Sequence, residues 1–405
     1  MLIYCSGTEL KDLAEELLNQ FDAHPLHNPL SPEIFVVQNH GMAQWLSLYI
    51  AEERGIAANL KFEFPAERIW ALIRMMDPTI PETLPSDRMP MAWSLMNILR
   101  NDSDPALNIL QEYIREEDPQ KREMRRWKLS GRISDVFDQY LTYRPEMLLS
   151  WEKNRLVTDF PEERWQSILW RKLNKYWSKS PETDHEHRAK LQRELLNGID
   201  QQKISSGELP QRISVFGVST MPPVYLKILV KLSALTDVYF YTLEPAGEIE
   251  HPIYESMGGT GNEYLSLLKL YIDETGVESK HIDLRRSKYN NDSLLHSFKQ
   301  AVQGFSFDRD VDTENPSISI HSCHSPRREV EVLYDQLLAL FERNESLNPS
   351  DVLVVTPNLA AFAPEIKAVF DTVEETLPAI PFHLVERQVG HADPVAKTVV
   401  KLMDL

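Results

Sequence analysis

The sequence has no apolar run approaching the roughly 18–20 residues that a membrane-spanning helix needs. Cysteine is nearly missing. Cys5 and Cys323 are the only two, too few for a disulfide framework or a cysteine-ligated metal centre. No basic segment precedes the apolar start Met1-Leu2-Ile3-Tyr4-Cys5, which therefore reads as a first strand rather than a signal peptide. A reducing cytoplasmic setting is expected. Positive charge is in deficit: 43 Lys and Arg stand against 61 Asp and Glu, a formal net charge of −18. That weighs against nucleic-acid binding by the surface at large, and leaves room for a local basic groove or for basic partner proteins.

Catalytic signatures are missing too. There is no G-x-x-x-x-G-K-[ST] phosphate loop and no G-x-S-x-G nucleophile elbow. Ser6-Gly7-Thr8 is short and lacks lysine, Asn39-His40-Gly41 lacks it as well, and a later strand ends in Phe216-Gly217 where a magnesium-binding acid would be required. Gly258-Gly259-Thr260-Gly261 is glycine-rich without a lysine or a preceding strand. His185-Glu186-His187 and Cys323-His324 lack metal-ligand spacing and read as solvated polar turns.

What is present is the texture of an α/β protein. Residues 2–5 and 34–38 read as strands, and 8–21 and 42–54 as helices, with Leu10, Leu13, Leu17 and Phe21 at helical spacing. The continuous apolar run at 34–38 suits a parallel sheet with right-handed crossovers. β-branched runs then disappear, and helical patterns such as 91–100 and 132–143 mark residues 83–205 as a helical insertion. All eight tryptophans lie between 45 and 177. Strands return at 213–218 and 238–242, with a helix at 223–235 between them and a further helical pattern at 263–271. The polar run 308–316 reads as a linker. A second unit follows, with strands expected at 317–321, 351–356 (buried) and 380–384, and helices at 328–341 and 360–370. A length of 405 residues accommodates two or three domains. The last residues are in mid-helical pattern, which suggests a piece of a longer protein.

One cluster leaves two readings open. Lys121, Arg122, Arg125, Arg126, Lys128 and Arg132 surround Trp127. This is either a phosphate-neutralising, base-stacking surface or a solvated helix face anchored by one tryptophan. Asp135 and Asp138 nearby share a helix face at i, i+3. They are either acceptors for base edges or ordinary surface carboxylates.

Five segments together resemble RecC, the gamma subunit of bacterial exodeoxyribonuclease V, the RecBCD complex. They are FVVQNHGMAQWL, GIAANLKFEFPAERIW, FDQYLTYRP, PPVYL and HSCHSPRREVEVLYDQLLALF, in the family's order along the whole chain. The resemblance implies superfamily 1 helicase-like α/β domains with a degenerate ATP site. Residues 1–82 and 206–300 would form the first domain, 83–205 its helical insertion, 301–316 a linker, and 317–405 the start of the second. It implies RecB-like and RecD-like partners that use the ATP and Mg²⁺, and no cofactor in this chain. It also implies scanning of single-stranded DNA for a Chi-like sequence.

The family's DNA-contacting positions carry over to Gln38, His40, Gln44, Phe64, Trp70, Asp135, Val136, Asp138, Arg144 and Arg188. His40 stands where the best-known pattern has threonine, and Phe64 and Val136 where it has leucine. Amides and acids suit base edges better than phosphates. Trp70 and Val136 also fit as plain core residues. Arg327 and Arg328 open the first helix of the second domain, where no phosphate loop faces them, so a structural or DNA-backbone role is expected. Two other readings remain: an active AddB-like helicase–nuclease subunit, and a structural partner without DNA contact.

Overall fold

The computed structural model describes residues 1–179, 186–201, 203–204, 207, 209–244, 252–284, 293–302, 317–371 and 379–384; the side chains of 252–260 and 300–302 lie outside the description. The chain divides into two compact units, Met1–Asn290 with Gln300–Ser306, and Asn291–Lys299 with Phe307–Leu405. From residue 303 on, the stretch assigned as a linker lies outside the described residues.

The first unit is built on six strands: β1 (Leu2–Gly7), β2 (Glu33–Val37), β3 (Leu60–Glu63), β4 (Arg212–Phe216), β5 (Asp237–Leu243) and β6 (Ser279–Asp283). They pair in the order β3-β2-β4-β5-β1-β6, and every pairing is parallel. Successive strand residues face opposite sides, so the four central strands β2, β4, β5 and β1 feed two cores. Leu2, Val36, Val215, Val238 and Phe240 enter one, and Ile3, Cys5, Phe35, Val37, Phe216, Tyr239 and Tyr241 the other. This two-sided burial is why these four strands are rich in apolar residues, whereas the edge strands β3 and β6 are not.

Helices α1 (Leu10–Ala23) and α2 (His40–Arg54) cover the second core. The first is covered by α3 (Pro65–Met76) and three later helices. Between α3 and β4 runs a helical layer: α4 (Arg88–Asn101), α5 (Asn108–Ile114), α6 (Pro119–Tyr143), α7 (Pro145–Glu152), α8 (Pro161–Trp177) and α9 (Arg188–Asp200). Then come α10 (Pro223–Leu232) and α11 (Pro252–Thr275), which with α9 complete the cover of the first core. The glycine run 258–261 lies inside α11 and is not a phosphate loop. In the layer, Phe137, Trp151 and Trp170 form an aromatic centre with edge-to-face contacts. His187 joins it, buried against Trp170 at 5.1 Å, with Nε2 donating to Glu152 Oε1 at 2.5 Å. The solvated turn expected at 185–187 is thus corrected for His187: it is a core histidine capping α9, and residue 185 lies outside the described residues.

Glu163, also buried, locks the α7–α8 corner. It accepts from Trp151 Nε1 (2.6 Å), Val157 N–H (2.7 Å), Thr158 N–H (2.6 Å) and Thr158 Oγ1 (2.5 Å). Burial alone would raise its pKa; these donors outweigh burial and hold it at about 2. A folded-state pKa below the ordinary glutamate value makes a stabilising contribution that is complete above that value. It is lost as pH falls from about 4.5 through about 2. Glu163→Ala is expected to cost about 3 kcal/mol, because buried donors lose their acceptor. It should also flatten the acid limb of a urea-denaturation series taken between those pH values, and an unchanged limb would refute the assignment.

The second unit holds most of α12 (Leu294–Val302), followed by α13 (Pro326–Arg343) and α14 (Leu359–Phe370). The last two pack through Val330, Tyr334, Leu337 and Phe370, with Ile380 added. The three strands expected here do not form. Residues 317–321, 351–356 and 380–384 run without ladder partners among the described residues, and the segment expected to be buried exposes Leu353 (83%) and Val355 (81%). An apolar β-branched run carries the propensity, but a strand exists only where another strand pairs with it.

Candidate nucleic-acid interface

In a parallel sheet with helices on both faces, a crevice opens at the carboxyl ends of neighbouring strands whose connections leave in opposite directions. Here β2 leaves through α2 on one face towards β3, and its neighbour β4 leaves through α10 on the other face towards β5. The two strands are clamped at their amino ends. Buried Arg212 donates to Glu33 through Nε at 3.1 Å and lies over the Phe21 ring at 4.3 Å.

At the carboxyl ends, Gln38 follows β2 directly and is exposed. Its Oε1 accepts from Ser219 N–H (3.3 Å) and Oγ (3.1 Å), spanning from the β2 loop to the β4 loop. Asn39 caps α2, its side chain accepting from Met42 N–H at 2.9 Å. That turn aims His40, the first residue of α2, edge-on at the Phe64 ring, with centroids 4.9 Å apart. Phe64 follows β3 as the N-cap residue of α3, and its N–H donates to Glu67 at 2.7 Å. Just behind it, Glu63 and Arg68 form a buried pair at 3.3 Å that fixes the turn. Gly217, at φ +63, completes the floor: a Cβ there would meet the Met42 thioether methyl at 2.8 Å. Phe64, His40, Gln38 and Ser219 thus form a row across three strand ends, about 10 Å wide. Gln44, exposed, lies one helical turn beyond His40 on the same face of α2.

A second group lies in the helical layer. Arg188, first residue of α9, donates to Asp138 (3.0 Å), Asp87 (3.4 Å) and Thr142 Oγ1 (3.3 Å). A cation at a helix amino terminus opposes the helix dipole, and the two carboxylates offset that cost. Tyr225, two residues into α10, is buried beside them. Burial raises its pKa first, the Arg188 charge opposes this, and the Asp138 charge adds to it. Since α10 begins after the Ser219 loop, this group adjoins the same sheet edge.

The remaining assigned residues are more scattered. Asp135 is paired with Arg88 through Nε at 2.7 Å. Val136 is 38% exposed, so it is not a core residue. Trp70 is half-buried against the first core with Arg74 5.4 Å above its ring. Arg144 joins α6 to α7, exposed, with no carboxylate partner among the described residues. Arg327 and Arg328 both pair with Glu331 of their own helix.

Ser219, Asp87, Arg88, Thr142 and Tyr225 went unnoticed in the sequence. Only Ser219 carried a signal there, as a polar residue just past an apolar strand, where α/β sheets place ligands. The candidate metal motifs form no site: among the described residues no cluster of three or more His, Cys, Asp or Glu is arranged to hold an ion. Among them, too, no helix is long and apolar enough to cross a membrane.

The class is now defined: an all-parallel α/β domain with a polar and aromatic crevice at its carboxyl edge and a helical layer inserted beside it. The RecC N-terminal domain family matches residues 2–249, and the chain belongs to that family. It is similar to the RecBCD enzyme subunit RecC of Escherichia coli strain K12, at 29% identity over 94% of this chain and 39% of that protein. The RecC subunit of Haemophilus influenzae is 28% identical over 100% of the chain and 42% of its own length. That of Mycolicibacterium smegmatis is 26% identical over 100% and 39%. The chain thus spans about two fifths of the length of these relatives.

Proposed function

We propose that this chain is a non-catalytic DNA-recognition and scaffold subunit of a RecBCD-type helicase–nuclease, acting in double-strand-break repair by homologous recombination in the cytoplasm. The first unit is a superfamily 1 helicase-like domain whose ATP site is degenerate, and its carboxyl-edge crevice scans single-stranded DNA for a Chi-like sequence. RecB-like and RecD-like partner subunits supply the ATP and Mg²⁺ chemistry; this chain has neither ATPase nor nuclease activity of its own.

The row Phe64–His40–Gln38 is the observation that carries this reading. Ring edges and an amide converge at the strand ends, with Gln44 a turn away, and no lysine accompanies them. Such groups address base edges and faces rather than phosphates. The missing ATPase chemistry is supported at the other crevice-forming end, beside β5. Only Thr8 and Glu9 separate β1 from α1, too few to cradle a triphosphate. Gln44→Ala in the complete complex is expected to reduce discrimination of the regulatory sequence by roughly tenfold, the loss of one bidentate base contact. Binding of unrelated single strands should stay unchanged. Equal discrimination by parent and variant, or DNA-stimulated ATP turnover by this chain alone, would overturn the proposal.

A further inference from the structure

The basic cluster around Trp127 acquires a direction in three dimensions. Along α6, Lys121, Arg125, Lys128, Arg132, Val136, Gln139 and Tyr143 recur every three or four residues, and all are exposed. They form one continuous face about 33 Å long. Its second half holds Val136 and leads to Arg144, residues of the proposed reading site. Its first half is cationic.

Half of the cluster is committed to the fold. Arg122 holds the Glu116 carbonyl at 2.8 Å, Arg125 the Glu116 carboxylate at 2.8 Å, and Arg126 is buried against Glu123. Lys128 and Arg132 have no partner among the described residues, although the chain carries a surplus of acids. Trp127 is no anchor in the layer's core. It packs on Trp93 of α4, centroids 4.6 Å apart, and Trp93 remains 57% exposed. One turn along α6 from Trp127, the bare backbone of Gly131 faces open space, leaving the shelf beside the stripe clear.

We propose that this face of α6, with the Trp93–Trp127 pair, carries single-stranded nucleic acid to or from the reading site: Lys128 and Arg132 neutralise successive phosphates, and the tryptophan pair offers a stacking surface to the bases. The inference rests on the single-strand reading above and extends its path beyond the family's contact positions. An unpaired cation beside an exposed aromatic is the combination that single-strand binding uses without sequence preference.

The test uses the full-length protein in the complete complex, with a thiothymidine oligonucleotide crosslinked by near-ultraviolet light and mapped by peptide mass spectrometry. Crosslinks at Trp93 or Trp127 are expected, falling at least about fivefold in Lys128→Glu/Arg132→Glu. In the full-length chain alone, the same double variant should weaken binding of every sequence alike and lower the slope of log affinity against log salt by roughly 1.4. If neither tryptophan crosslinks, or the slope is unchanged, the path is wrong. Loss of subunit assembly in the double variant would mark a protein-docking face and overturn it as well. Gln44→Ala separates the two proposals. Lost discrimination with an unmoved salt slope in the double variant leaves the reading site and removes the path, whereas retained discrimination with a lowered slope does the reverse.

Discussion

Trp170→Ala is expected to destabilise the helical layer by about 4 kcal/mol, the range for removing a fully enclosed indole. Trp170 is completely buried. Its ring meets Phe137 at 5.5 Å, Trp177 at 5.8 Å and His187 at 5.1 Å, all edge to face. Its Nε1 donates to Glu152 at 3.2 Å, the same carboxylate that His187 holds. One truncation therefore opens a large cavity and removes a partner from a partly buried polar pair. The neighbours come from α6, α8 and the start of α9, three elements that cannot collapse together without moving the backbone. Trp170→Phe, which keeps most of the volume, should lose about half as much. Urea denaturation of the parent and both variants gives the comparison; equal loss in the two would point to the Nε1 bond rather than packing.

Arg188→Ala follows at about 3 kcal/mol, because it strands two carboxylates that share one guanidinium. Asp87 precedes α4 and Asp138 lies in α6, and Arg188 at the start of α9 is what holds them together. Arg188→Lys should recover only part of the loss, since a single ammonium cannot reproduce the fork reaching Asp87, Asp138 and Thr142. The variant also has a functional readout. Asp138 without its counter-charge presents a bare carboxylate next to the proposed DNA path, so sequence discrimination in the complete complex should fall together with stability. An Arg188→Ala protein as stable as its parent would show that this network does not brace the layer.

The two crevice groups were legible to different degrees. Gln38, His40 and Gln44 sit in one strand–turn–helix segment, so their common placement follows from local sequence; even the cap, Asn39, is within it. That Phe64 meets His40 was not legible, because it depends on β3 pairing with β2, with Glu63 beside Val36. The Asp138–Arg188 link spans 50 residues, and the sequence showed the two only as separate charges. Asp135 and Asp138 look alike at i, i+3, yet they answer to different arginines, on α4 and α9. His187 misled in the opposite sense. Flanked by polar residues it reads as solvent-facing, but as the residue just before α9 it is packed against Trp170 in the aromatic centre.

By itself, the sequence determined that this is an α/β chain with an inserted helical layer, that the run at 34–38 would be a strand buried on both sides, and that no G-x-x-x-x-G-K-[ST] motif occurs in it. Those are properties of local pattern and residue type: periodicity, burial propensity and the presence or absence of a functional group. Tertiary structure alone decided which strand neighbours which, hence where the crevice opens. It decided which charges are spent inside the fold and which remain for a ligand. It also left the apolar runs at 317–321 and 351–356 without strand partners among the described residues. The physical reason is common to all three. Pairing, charge neutralisation and ladder formation each need a second group from far along the chain, and its approach is set by packing rather than by the residues on either side.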